Sequence, residues 1–218
     1  MKKLITAIFA FTLVCFSANA EVRVGITAAF SDFESTGTET LKSSSNKTST
    51  SVEESVLVPS IFVEARNDQG VGVGIDYVPA AAEIGDKSKT KVDTDTDDAS
   101  DTSGTNRARA EVTGHYTIYA TIPVKAAFLK LGYVSADVET KELLATGTSY
   151  GNETVNGMLI GVGVDRDLPN GFFVRGEISY TDYDEISLTG SADADSVSNK
   201  VDADIDATAI RLSVGKAF

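Results

Sequence analysis

From residue 21 onward, apolar and polar side chains alternate one for one through eight stretches separated by polar connections, the signature of strands with two unlike faces. The first, EVRVGITAAF, puts Val22, Val24, Ile26, Ala28 and Phe30 on one side and Arg23, Gly25, Thr27 and Ala29 on the other. The second lies within Ser55 to Arg66 and the third within Val71 to Ala81. The fourth, AEVTGHYTIYATI, sets Val112, Tyr116, Ile118 and Ile122 against Glu111, Thr113, His115, Thr117 and Thr121. The fifth opposes Leu129, Leu131 and Tyr133 to Lys130 and Gly132; the sixth opposes Met158, Ile160, Val162 and Val164 to Gly157, Gly161, Gly163 and Asp165. In the seventh, Val174, Ile178 and Tyr180 face away from Arg175, Glu177, Ser179 and Thr181. The eighth, ATAIRLSVGKAF, alternates Ile210, Leu212, Val214 and Phe218 with Arg211, Ser213 and Gly215. In the second stretch Val58 and Phe62 share the parity of Glu64, so its phase stays open, with Pro59 marking a bulge or an end.

The connections have a rhythm of their own. TGTETLKSSSNKTSTS is long, NDQG short, GDKSKTKVDTDTDDASDTSGTN long, the turn around Pro123 short, ETKELLATGTSYGNE long, DLPNG short and TGSADADSVSNKVDAD long. Antiparallel neighbours need only a tight turn at one end, so strict alternation collects every long connection at the other. An even number of strands, short turns on one side and long loops opposite describe an eight-stranded antiparallel up-and-down transmembrane barrel. In lipid every backbone N–H and C=O must be paired internally, which leaves strands no spanning option except closure.

The chain before residue 21 fits that destination. Lys2 and Lys3 precede an apolar run from Leu4 to Phe16, and Ala18-Asn19-Ala20 supplies a small-residue cleavage pattern. We expect residues 1–20 to be a signal peptide cleaved after Ala20 and residues 21–218 to be one barrel domain. Cys15 is the single cysteine; it lacks the flanking pattern of a lipoprotein and leaves with the leader, so no disulfide is expected. The net charge of −13 becomes two units more negative without Lys2 and Lys3, which argues against nucleic acid as a partner.

Alternation places Arg23, Glu64, Asp76, Glu111, Lys130, Asp165, Arg175, Glu177 and Arg211 on the inward face. Both signs are present, as in a network of interior ion pairs. The apolar side is expected to meet lipid, with Phe172 and Phe218 at one interface and Tyr133 and Tyr180 at the other. Lys216 interrupts that row near its end, where its amine reaches the interface.

These residues resemble a known family, the small outer-membrane barrels typified by the OmpA transmembrane domain and OmpX-like proteins. FLKLGYVSADVE, with Lys130, Gly132 and Tyr133, resembles the family's fifth strand. GVGVDRDLPNGFFVRGEISYTDYD resembles its sixth-to-seventh hairpin. The resemblance implies an interior polar network including Lys130, Arg175 and Glu177. It also implies that the terminal Phe218 is a signal to the barrel assembly machinery, and that the protein sits in a Gram-negative outer membrane among lipid and lipopolysaccharide. Two departures stand out: Lys216 replaces a common aromatic, and no peptidoglycan-binding domain is expected after the barrel.

No catalytic constellation emerges. His115 is the single histidine, points inward and has no nearby serine in its strand, so a hydrogen-bonded lumenal histidine is the expected role. Asp93, Asp95 and Asp97 are spaced like a calcium loop but lack its glycine and closing glutamate, leaving a solvated acidic loop or weak bridging to lipopolysaccharide. GVGVGIDY and GVGVD lie in strands with no following helix, unlike a nucleotide fingerprint. No metal, cofactor or enzymatic activity is expected. The expectation is a structural and surface-interaction barrel plugged by paired charges and working through polar acidic loops. The alternative is a narrow porin for ions or small solutes. A soluble lipocalin-type barrel would need an apolar interior, and the inward charges count against it.

Overall fold

The structure, a computed structural model, describes residues 20–40, 47–91, 104–143, 149–191 and 199–218. The leader reading and the Asp93–Asp97 run lie outside the described residues. Ten antiparallel strands are seen: β1 (Glu21–Thr40), β2 (Lys47–Arg66), β3 (Gly72–Tyr77), β4 (Ala82–Lys91), β5 (Gly104–Val124), β6 (Ala127–Leu143), β7 (Glu153–Asp167), β8 (Phe172–Tyr183), β9 (Ile186–Thr189) and β10 (Lys200–Ala217). They make eight staves, because β3 and β4 are two halves of one and β9 continues β8 along β10. The ring closes where β1 pairs β10, from Arg23 opposite Ala217 to Thr40 opposite Lys200. Below that, Val22 and Phe218 exchange hydrogen bonds of 3.2 and 2.9 Å.

The register fixes the shape. Starting at Asp32, partners run through Thr208, Tyr180, Ile160, Leu131, Ala120, Val73 and Ala65 and return to β1 at Val22, a shift of ten residues in one circuit. With eight staves, a rise of ~3.3 Å per residue and a spacing of ~4.8 Å, that shear tilts the strands by roughly 40°. The interior of a barrel this size is filled by side chains.

The strands are longer than the alternation alone gave. Polar stretches read as loops, including 36–40, 47–51, 85–91, 139–143 and 200–204, lie in strands extending past the apolar belt. Hydrogen bonding to neighbours, not face polarity, holds them there, so the hydropathy pattern ends before the ladder does. The phase of β2 is now fixed: Phe62 and Glu64 are both buried inside and Pro59 sits in the ladder opposite Ala28, neither a bulge nor an end.

In β5, by contrast, the alternation breaks. Two residues, Gly114 and His115, bulge between the pairs Thr113–Asp137 and Tyr116–Ser135, with Gly114 at φ +60°. Above the bulge the faces exchange, so Val112 packs inward and Glu111 turns outward. The same level interrupts the neighbouring stave, where Val78 N–H donates to the His115 carbonyl at 2.9 Å and the chain passes through Pro79. As a result, among the described residues β4 pairs β5 and not β2, whose ladder with β3 ends at Ile61.

Candidate functional site

The interior is organised in tiers. Nearest the short turns, the guanidinium of Arg175 donates twice to Glu64, at 2.9 Å each, and through Nε to Asp165 at 2.7 Å. Arg66 donates to the same two carboxylates at 2.8 and 2.7 Å. Arg23 bonds Glu21 and, at 3.0 Å, Asp167, and lies 3.7 Å from Asp165. Three cations thus meet four carboxylates, and the two at the rim, Glu21 and Asp167, keep solvent contact. About 8 Å further along the axis, by the shear and tilt above, a second tier holds two cations and two carboxylates. Lys130 bonds both oxygens of Glu177 at 3.2 and 3.1 Å, and Arg211 bonds Asp76 at 2.6 Å and Glu177 at 3.3 Å. Charges removed from water this way hold only if each finds its partners.

Aromatic rings separate and pad the tiers. Phe62, Phe128 and Phe173 surround Arg175 at 5.4, 5.0 and 5.8 Å from ring centre to guanidinium carbon, and Tyr119 lies 4.3 Å from the Lys130 ammonium. Each ring faces a glycine directly across the ladder: Phe62 on Gly25, Phe173 on Gly215, Phe128 on Gly163 and Tyr119 on Gly74. A Cβ at Gly25 would lie 2.7 Å from Phe62 Cε1, so only glycine leaves room for the ring. Above the tiers His115 Nε2 meets Tyr183 Oη at 3.5 Å. Over that pair Ala136, Val155 and Ile186 form an apolar cap with Val112, Val138, Leu188, Ala203 and Ile205.

Glu111 stands apart from the other eight charges singled out in the sequence. It bonds Lys141 on the outer side of the extended strands and holds that amine's pKa above its usual range. Sequence reasoning missed Glu21, Arg66 and Asp167, although each shares parity with an inward neighbour two residues away. It also missed the inward rings, because their glycine partners are visible only in register.

Outside, Phe172, Tyr180 and Phe218 are exposed and Tyr133 is half-buried. Tyr77 and Tyr116, adjacent in register, join them. Taking heights from the shear, Tyr77, Tyr116, Tyr133 and Tyr180 fall within roughly 3 Å of one level, about 20 Å above Phe172 and Phe218. On β1 and β2 the outward positions are apolar from Val24 and Val63 up to Phe30 and Leu57, which reach the tyrosine level and just past it. Lys216 lies 5.7 and 5.2 Å from the rings of Phe172 and Phe218.

A closed ring with an apolar waist, aromatic levels above and below and ionised groups inside is the architecture of an outer-membrane β-barrel. Solved structures with this fold include the outer membrane protein OprG from Pseudomonas aeruginosa, at TM-score 0.58 and 13% identity over 91% of this chain and 95% of that one. The outer membrane protease OmpT from Escherichia coli matches at TM-score 0.53 and 7% identity over 93% and 99%. No protein-family model matches the sequence, and no curated protein matches it. The chain therefore shares the fold of small outer-membrane barrels, and at these identities the likeness is one of fold.

Proposed function

We propose that the protein is a structural and surface-interaction component of a Gram-negative outer membrane, exported through cleavage of its leader after Ala20, with a plugged interior. The observation that supports this reading best is the filling of the lumen: two ion-paired tiers, four rings around their cations and an apolar cap. The short-turn end then faces the periplasm, and the extended strands carry a polar working surface among lipid and lipopolysaccharide on the far side. The strand ending in Phe218 is the one offered to the barrel assembly machinery. In detergent the unboiled protein is expected to migrate anomalously on gels; migration identical before and after boiling would overturn the membrane reading.

A narrow porin is the second reading. Ser60 Oγ, Tyr119 Oη and Thr121 Oγ1 are buried with no hydrogen-bond partner among the described residues, and such groups are ordinarily served by water. Planar bilayers decide between the two. The plugged reading expects silence from the wild type and from Glu177→Gln; steady conductance that Glu177→Gln weakens would replace it with the porin.

A further inference from the structure

The outer wall is not uniform around the ring. Tyr77, Tyr116, Tyr133 and Tyr180 mark the upper level on β3, β5, β6 and β8; the adjacent β10, β1 and β2, like β7, carry no tyrosine there, and β1 places Phe30 at that height. Across β10, β1 and β2 the wall sinks into an apolar hollow of about 460 Å³, lined by Ile26, Ala28, Pro59, Ile61, Leu212 and Pro79 among others. Its cause is local. Ala28 pairs with Pro59 on one side and Leu212 on the other, so a short side chain sits between larger ones. Ile26, Ile61 and Leu212, which stand around it, are 59%, 50% and 57% exposed. On its far edge the β2–β3 ladder ends at Ile61 and Tyr77 among the described residues, and Pro79 borders the gap.

The same strands carry a second feature directly above. Glu34 pairs with Glu53 on β2 and Asp206 on β10, and Asp206 pairs with Asp182 on β8. Cross-strand partners share a face, so four carboxylates stand side by side on the outside. Glu34 lies six residues above Ala28, about 20 Å along the strand, past the tyrosine level where headgroups begin. Like charges placed opposite one another are unfavourable unless a cation sits among them.

We infer that this sector is a binding site for one membrane lipid, its acyl chain in the hollow and an amine of its headgroup against the carboxylate row. The inference rests on the reading that the apolar waist meets lipid. Hydrocarbon suits the hollow because its lining is apolar at the depth of the upper leaflet. An amine suits the row because it supplies positive charge and hydrogen-bond donors to carboxylates.

The test uses the full barrel reconstituted separately into vesicles of phosphatidylethanolamine and of phosphatidylglycerol, released into mild detergent and weighed by native mass spectrometry. The wild type is expected to retain one ethanolamine lipid and at least tenfold less glycerol lipid, with or without a chelator. Ala28→Leu, which fills the hollow, should lose retention about tenfold. Glu34→Gln with Asp206→Asn should keep a lipid but lose the preference. Equal retention by wild type and Ala28→Leu overturns the hollow, and chelator-sensitive retention of the glycerol lipid overturns the amine in favour of a bridging cation. Vesicle flotation and unboiled gel migration are scored on every sample. A barrel that never inserts refutes the membrane reading itself, whereas one that inserts and retains no lipid refutes only this site.

Discussion

Glu64 shows what a single residue carries in this barrel. It is fully buried and accepts from both Arg175 and Arg66, so its removal leaves two guanidinium groups to share the one carboxylate of Asp165. Glu64→Leu should cost about 3–5 kcal/mol in urea unfolding from vesicles, the range for removing one partner of a buried ion pair. Adding Arg175→Met should return a good part of that loss, because the surplus guanidinium goes with it. Gly25 is under a different constraint. In Gly25→Ala the new methyl meets Phe62 Cε1 at 2.7 Å and the Val214 carbonyl oxygen at 2.6 Å, an overpacking cost of roughly 1–3 kcal/mol. Phe62→Leu relieves the first clash and not the second, so the double variant should recover only part of the loss. At this scale parity assigned faces well, since Arg175 and Glu177 differ from their neighbours in sign and polarity. It could not say that Arg175 meets Glu64, 111 residues away, because pairing is a property of register.

Among the elements, β5 explains where the sequence misled. Period-two counting runs straight through Gly114, yet Gly114 and His115 together oppose the single residue Ala136, and every side chain above changes face. Glycine suits the spot because φ is +60° and a Cβ would lie 2.9 Å from Asp137 Oδ2. Gly114→Val should therefore unfold at lower urea than Gly114→Asn, since asparagine tolerates that backbone and a branched residue does not. The break is what lets Val112 cap the lumen and sends Glu111 to Lys141. Strand length was the other illegible quantity. β1 and β2 continue to Thr40 and from Lys47, through Ser and Thr that face water on both sides, so no hydropathy contrast marks them. The carboxylate row across β2, β1, β10 and β8 predicts that Asp206→Asn raises the melting temperature in lipid-free detergent. Added sodium chloride should do the same to the wild type, and less to the variant, as screening removes the repulsion.

For the molecule as a whole, stave number and shear set the tilt, and the tilt gathers tyrosines from four strands onto one level although only Tyr77 and Tyr116 are ladder partners. Eight staves with connections of alternating length were legible because each strand repeats the same contrast. The ten-residue shear was not, because it is the sum of eight separate pairings. The backbone exchange between Val22 and Phe218 has one more consequence. The first and last strands are neighbours like any others, so the order in which the staves are strung has no structural privilege. A circularly permuted gene, fusing Phe218 to Glu21 through a few glycines and starting instead at Asp68 in the β2–β3 turn, should yield the same barrel. Its unboiled gel mobility should match that of the parent.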